Sequence, residues 1–128
     1  NKINELDLQD RVILTKKFIE NIDEYIKLSD VFLFPTWNEA LGTSVLEAQA
    51  CGVPVVANSM KGSTDYWIKD SEGGFVVEKF DDKVWAEKIT LALNINIENL
   101  RENSSKIIKI ASTKNIDEDY FKRIKAIT

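Results

Sequence analysis

Short apolar runs alternate with amphipathic segments along the chain. Four runs are almost continuously apolar and predict buried strands: residues 11–15, 30–34, 53–57 and 75–77. Pro35 follows the second run and ends it, because proline cannot donate to a sheet ladder. A continuously apolar strand is typical of a parallel sheet that is covered on both faces.

The segments between and after these runs have helical spacing. Asn21 and Glu24 predict a capping box at the start of the first helix. Gly52 and Pro54 predict the end of the second. Six helices are predicted. The first starts after Asn21, the next two cover residues 43–51 and 63–69, and the fourth starts at Asp81 or Asp82. The fifth covers residues 97–111, and the sixth starts near Asn115 and carries Tyr120, Phe121, Ile124 and Ile127.

Strands that alternate with helices predict an α/β fold, a parallel sheet with helices on both faces. In such folds ligands lie beyond the carboxyl ends of the strands, and the loop at residues 35–43 occupies one of those places. The length of 128 residues predicts a single domain covering residues 1–128. Because the first residue is not Met, we expect the chain to be cut from a longer one.

Charge and composition exclude several classes of function. Lys and Arg total 17 against 21 Asp and Glu, a net charge of -4, so no nucleic-acid partner is expected. The chain has no histidine and only Cys51, which excludes an imidazole base, a zinc site and an internal disulfide. No apolar run approaches the ~18 residues of a membrane-spanning helix, and the first residues are not expected to form a signal peptide. The expected location is cytoplasmic, with peripheral membrane association of the full-length protein left open.

The stretch from residue 34 to residue 57 holds the candidate chemistry. A buried strand leads through a short polar loop containing Gly42 into a helix, whose free amides and dipole form an anion site. Gly42 lets a ligand approach the backbone closely. Glu39 precedes this site and Glu47 lies about one turn inside the helix, and carboxylates accept hydrogen bonds from vicinal hydroxyls. Backbone amides that can bind a phosphate thus lie between two carboxylates that can bind hydroxyls. This arrangement fits a nucleotide sugar as the ligand.

This stretch resembles the retaining glycosyltransferases of family 4, which have the GT-B fold of two facing Rossmann-like domains. Seven residues separate Glu39 from Glu47, as in the family's E-x7-E motif. Residues 46–57 are similar to the family's "LEAMACGxPVVA". Three further segments are similar to family motifs and follow one another in the family's order. Residues 30–36 resemble "DVFVxPS", residues 61–65 resemble "GGxxE", and residues 74–77 resemble "GxLV". The similarity covers about residues 5–93.

The resemblance implies roles for individual residues. Glu39 would be the catalytic residue beside the donor sugar, and Glu47 would bind the ribose hydroxyls. The segment that contacts the sugar and the diphosphate in the family matches Ala40, Leu41, Gly42 and Thr43. Family members need no cofactor and no essential divalent metal. Transfer retains the anomeric configuration.

The resemblance also implies the partners. The full enzyme would take its sugar from a nucleotide-diphosphate donor and would act in polysaccharide biosynthesis. A glycan or lipid acceptor would bind an N-terminal domain that this chain lacks. The chain alone is therefore expected to be inactive in transfer.

Each candidate residue has a plainer interpretation. Glu39 could simply be solvated in its polar loop or form a capping box with Thr36. Glu47 could form a capping box with Ser44, and Gly42 could serve only the turn. Trp37 could stack on a ligand or could simply pack. Lys16 and Lys17 are candidates for phosphate or base contacts, with solvated surface lysines as the alternative.

The chain begins just before the third strand of the resembled domain, so the Rossmann-like sheet is expected to lack its first two strands. The edge of residues 31–34 would then be open. Either residues 11–15 pair directly with this edge, or two copies join there as a homodimer. The alternative function is accordingly a non-catalytic nucleotide-sugar-binding or interaction module that uses the open edge. A nicotinamide dehydrogenase is disfavoured, because no Gly-x-Gly-x-x-Gly follows a strand.

Overall fold

A parallel sheet forms the centre of the molecule. The computed structural model describes residues 1–38 and 42–112. In this part of the chain the sheet has three strands in the order β1-β2-β3: β1 (Phe32–Phe34), β2 (Val55–Asn58) and β3 (Gly74–Val77). Both pairings are parallel, with Phe32 opposite Val55 and Val55 opposite Gly74. The predicted parallel α/β sheet is confirmed, and three of the four predicted strands form it.

The described helices are α1 (Lys2–Glu5), α2 (Ile22–Lys27), α3 (Thr43–Ala50), α4 (Thr64–Trp67), α5 (Asp82–Ala92) and α6 (Ile97–Ala111). All but α1 were predicted. The helix predicted near Asn115, with Tyr120, Phe121, Ile124 and Ile127, lies outside the described residues. Asp81 caps α5, as one of the two predicted alternatives. None of the described helices is both long and apolar enough to cross a bilayer.

Helices cover both faces of the sheet. Val55 and Ala57 of β2 pack on one side against Val45 and Ala48 of α3. Val56 points to the other side, where it meets a cluster containing Ala92 of α5. These six residues are fully or almost fully buried. The uninterrupted apolar pattern of β2 therefore reflects burial on both faces.

The longest helix, α6, packs back onto α3. Leu100 and Ile107 are its buried apolar residues, and Asn103 is buried between them. Ser104 Oγ donates a hydrogen bond to the carbonyl oxygen of Ala50, the last residue of α3, at 2.6 Å. α6 is thus attached to the carboxyl end of α3.

The prediction of a buried strand at residues 11–15 is wrong. Residues 12–16 form neither helix nor strand, and Ile13 is 91% exposed. Direct pairing of this segment with residues 31–34 is therefore also wrong. An apolar, β-branched run becomes a strand only where neighbouring strands supply hydrogen bonds and a surface to pack on. Among the described residues β1 pairs with β2 alone, so its other edge is open.

The predicted capping box at α2 is only half right. Asn21 does occupy the N-cap position, but its side chain makes no capping hydrogen bond. Its backbone, at φ -97° and ψ 57°, lies outside the extended region that directs an N-cap side chain at the first amides. The spacing between Asn21 and Glu24 thus predicted the start of α2 correctly, although the predicted capping hydrogen bond of Asn21 does not form.

Candidate functional site

Gly42 connects the loop after β1 to α3. It is buried and occupies the N-cap position with φ 72° and ψ 44°, a left-handed conformation that favours glycine. A Cβ placed on Gly42 would lie 3.2 Å from Ser63 Oγ. Having no side chain, Gly42 also leaves the first-turn amides of α3 without an N-cap side-chain acceptor. The Val45 amide donates to the carbonyl oxygen of Gly42 at 2.9 Å, whereas the Thr43 and Ser44 amides have no acceptor among the described residues. The start of α3 therefore presents two free N–H donors and the positive end of the helix dipole.

The side chains of α3 divide between the sheet and solvent. Val45 and Ala48 face the core, whereas Thr43 and Glu47 are exposed. Residues four apart lie on the same side of a helix, so Thr43 and Glu47 share one side of α3. Ser44 is the second residue of the helix rather than its N-cap, so the capping-box alternative for Glu47 is not formed. Among the described residues Glu47 has no hydrogen-bond or ion-pair partner.

Three of the predicted site residues, Glu39, Ala40 and Leu41, lie outside the described residues, and their roles stay predictions. The chain just before them is described. Thr36 Oγ1 donates to the carbonyl oxygen of Asn38 at 3.2 Å. Trp37 stacks on Phe80, so this tryptophan does pack against another side chain. Stacking of Trp37 on a ligand stays a prediction.

Lys16 and Lys17 are both exposed and lie outside regular structure. Lys16 has φ 51°, a left-handed conformation at a non-glycine residue. Lys17 lies beside the start of α2, close to Phe18 and Asn21. Their predicted contacts with phosphate or base stay predictions.

The connection from β2 to α4 is held by side-chain hydrogen bonds. Ser59 Oγ donates to Asp65 Oδ2 at 3.1 Å, and the Met60 amide donates to Asp65 Oδ1 at 3.1 Å. The Met60 amide also donates to Thr64 Oγ1 at 2.9 Å. Thr64 Oγ1 in turn donates to the carbonyl oxygen of Asn58. Asp65, in the segment similar to "GGxxE", therefore fixes the loop beyond the carboxyl end of β2.

Two buried polar atoms of this connection have no partner among the described residues. They are Asn58 Oδ1, at the carboxyl end of β2, and Ser63 Oγ, beside Gly42. Neither residue was predicted to belong to the site, although Ser63 lies in the segment similar to "GGxxE". A serine directly before a short helix suggests an N-cap, but nothing in the sequence places it next to Gly42. Unpaired buried polar groups are rare in native proteins and call for an explanation.

The described part of the chain contains no cluster of metal-ligating side chains. No group of three or more Asp, Glu, Cys or His side chains in this part of the chain could hold a metal ion. Among the described groups, the resolved pKa changes belong to Asp23 and Lys27 of α2, which pair with each other. The candidate site thus offers backbone amides, hydroxyls and the Glu47 carboxylate.

Comparison with known proteins identifies the family. Residues 1–111 match the family described as Glycosyl transferases group 1. Over 91 residues the chain is 43% identical to the capsular polysaccharide biosynthesis glycosyltransferase CapM of Staphylococcus aureus, covering 71% of this chain and 23% of CapM. It is 33% identical over 92 residues to the D-inositol 3-phosphate glycosyltransferase of Mycolicibacterium smegmatis, covering 71% of this chain and 21% of that protein. The chain thus spans less than a quarter of the length of these relatives.

Solved structures show the same fold. Sucrose-phosphate synthase from Thermosynechococcus elongatus superposes with a TM-score of 0.74 at 23% identity, over 99% of this chain and 33% of that one. The pneumococcal O-GlcNAc transferase GtfA, solved with UDP and GlcNAc, gives 0.68 at 21% identity, over 98% of this chain and 26% of that one. The three-stranded sheet and its helices correspond to part of a Rossmann-like domain. The chain therefore belongs to the group 1 glycosyl transferases and forms a partial Rossmann-like domain of the GT-B type.

Proposed function

We propose that residues 1–128 form one partial domain that binds the donor in a retaining glycosyltransferase of family 4. The full enzyme moves a sugar from a nucleoside diphosphate sugar to a glycan or lipid acceptor, which is bound by a domain outside this chain. The observation that carries the proposal is the start of α3. A buried left-handed Gly42 leads into amides that no N-cap side chain accepts, and Glu47, exposed one turn further on, has no partner among the described residues.

The spacing along α3 suits a nucleoside diphosphate. The amides after Gly42 accept a phosphate without any cationic side chain, since helix starts bind anions through N–H groups and the dipole. From Thr43 to Glu47 the helix rises about 6 Å, comparable with the separation between a phosphate and the ribose hydroxyls of one nucleotide. The Glu47 carboxylate can then accept hydrogen bonds from the 2′ and 3′ hydroxyls.

In this proposal the protein contributes position and charge stabilisation. When the bond between the sugar and the diphosphate breaks, negative charge grows on the departing diphosphate. The amides at residues 40–43 and the α3 dipole stabilise that charge in place. Glu39 lies beside the donor sugar and holds it for front-face attack by an acceptor hydroxyl.

The relatives support the reaction class. CapM is named for capsular polysaccharide biosynthesis, and the Mycolicibacterium relative is named for sugar transfer to inositol 3-phosphate. GtfA was solved with UDP, a nucleoside diphosphate. These names favour a nucleoside diphosphate sugar as donor and polysaccharide biosynthesis as the process.

An amide NMR titration of the 128-residue chain tests the donor site. UDP, GDP, ADP and their sugar conjugates are added in turn. We expect one nucleotide to shift the Gly42, Thr43 and Ser44 amides saturably. Glu47→Gln should move saturation to about tenfold higher nucleotide concentration. Glu87→Gln, which neutralises an exposed carboxylate of α5, should leave the response unchanged. Absence of shifts with every nucleotide would reject a donor site in this chain.

The open edge of β1 favours the second candidate, an interaction module. β1 pairs only with β2 in the described part of the chain, and Leu33 is 44% exposed. Unpaired strand edges associate with other strands. In this case light scattering should show a homodimer that Leu33→Lys converts to a monomer, with no response to nucleotides. A monomeric wild-type chain would reject it.

A further inference from the structure

The Ser63 hydroxyl is buried and unused by the fold. Ser63 is 2% exposed, and its Oγ has no hydrogen-bond partner within the described part of the chain. Ser63 is the N-cap residue of α4, a position where serine side chains ordinarily bond to the amides of their own helix. Here no such bond forms. A buried hydroxyl without a partner is destabilising, so this side chain invites a partner from outside the chain.

The hydroxyl faces the start of α3. The distance of 3.2 Å from Ser63 Oγ to the position of a Cβ on Gly42 places it directly beside the N-cap of that helix. Because residue 42 is glycine, it has no side chain to stand between the hydroxyl and the first turn of α3. Main-chain N–H donors and a side-chain O–H donor therefore converge on one place, although residues 42 and 63 belong to different connections.

We propose that Ser63 is a further donor-binding residue, whose hydroxyl donates a hydrogen bond to an oxygen of the distal phosphate of the nucleoside diphosphate. This rests on the donor site proposed above. A phosphate oxygen has several lone pairs and accepts from amides and a hydroxyl together, and such bonds to an anion are strong. Gly42 precedes Thr43 and lies farther from Glu47, the proposed ribose ligand. The phosphate beside Gly42 is therefore the one farther from the ribose.

Calorimetric titration of the 128-residue chain tests this assignment. The tightest of UDP, GDP and ADP is compared with the corresponding nucleoside monophosphate, which lacks the distal phosphate. Ser63→Ala should weaken the diphosphate about tenfold and leave the affinity of the monophosphate unchanged. Ser63→Thr keeps the hydroxyl and should recover most of the affinity. Ser105→Ala is the control, since its exposed hydroxyl lies on α6 and donates to the carbonyl oxygen of Arg101, and it should bind both nucleotides as the wild type does.

Stability of the ligand-free chain separates binding from a structural role. Ser63→Ala removes no hydrogen bond to any described residue, so its thermal midpoint should equal or exceed that of the wild type. Loss of both ligand-free stability and monophosphate affinity would overturn the proposal in favour of a structural serine. A wild type that binds nucleotides, with Ser63→Ala equal to it for the diphosphate, would overturn the role of Ser63 alone. A wild type that binds no nucleotide would overturn the donor site and this assignment together.

Discussion

The indole of Trp37 stacks on the ring of Phe80, with centroids 4.2 Å apart and planes inclined by 16°. Trp37 follows β1 and Phe80 follows β3, so this contact joins the two connections that flank β2 at the carboxyl edge of the sheet. Phe80 also lies 6.0 Å from Trp85 of α5. Trp37 is 77% exposed, yet its contact with Phe80 fixes its position. In the sequence Trp37 stands two residues before Glu39.

Phe80→Ala should remove this stack. We expect the free energy of unfolding to fall by about 1 kcal/mol and the near-ultraviolet circular dichroism of the tryptophans to change. Urea denaturation and the spectrum measure the two effects. Phe18→Ala is the control, because Phe18 is 88% exposed and should alter neither. Equal stability of the two variants would contradict a stabilising stack.

Gly73→Ala should destabilise the packing of α3 and α6 around residue 73, which directly precedes β3. A Cβ at residue 73 would collide with the side-chain nitrogens of Gln49 and Asn103, both buried. Overpacking of this kind costs about 2 kcal/mol, measurable as a lower urea midpoint. Asn103→Ala removes one of the two collisions, so the double variant should lose less than the sum of the single losses. Strict additivity would contradict the steric explanation.

Asp81→Ala should shorten or fray α5. Asp81 Oδ1 accepts from the amides of Lys83 at 2.8 Å and of Val84 at 3.2 Å. Loss of this cap should lower the free energy of unfolding by about 1 kcal/mol, as determined by chemical denaturation. Asp81→Asn keeps an acceptor oxygen and should retain most of the stability. Asp82→Ala, one residue inside the helix, should cost less than Asp81→Ala, and a reversed order would contradict the assignment of the cap.

The exposed pair Asp23 and Lys27 should be visible in a carboxyl NMR titration. Lys27 Nζ donates to Asp23 Oδ2 at 2.7 Å, and this hydrogen bond lowers the pKa of Asp23 and raises that of Lys27. Because the pKa of Asp23 is lower in the folded state, the pair stabilises the fold above the unfolded-state pKa. This contribution is lost as the pH falls through the folded-state pKa. Lys27→Met should return the Asp23 pKa to its ordinary value, whereas an unchanged titration would show that the pair does not form in solution.

In the full-length enzyme the two glutamates should differ kinetically. Glu39→Gln should lower turnover about a hundredfold with a smaller effect on donor affinity. Glu47→Gln should mainly raise the donor KM, by about tenfold. Steady-state kinetics with varied donor measures both, with Glu87→Gln as the control. Full activity in both variants would reject these roles.

Local pattern was sufficient for most of the fold. The run from Val55 to Ala57 is buried on both faces as its composition predicts, and Gly52 follows the end of α3 as expected. Residues 11–15 have the same apolar character, yet they form no strand. The difference between the two runs is the presence of neighbouring strands, which is a property of the whole sheet and cannot be inferred from five residues.

The candidate site divides in the same way. Gly42 and Glu47 could be proposed from the sequence because a strand, a glycine turn and a helix leave a local signature. Ser63 could not, since its proposed role depends on closeness to a residue 21 positions earlier and on burial that only the assembled fold creates. Asn21 shows the converse, because correct spacing to Glu24 did not ensure the backbone angles that a capping bond requires.

The hydrogen bond from Ser104 to Ala50 anchors α3 at the end opposite Gly42. Because α6 packs along α3, the orientation of α3 relative to the sheet is fixed once the chain has folded. A ligand at its first turn would therefore meet donors that are already preorganised, and little further ordering would accompany binding. A substitution in α6 that lets the axis of α3 tilt should then weaken the binding of a ligand that α6 does not contact.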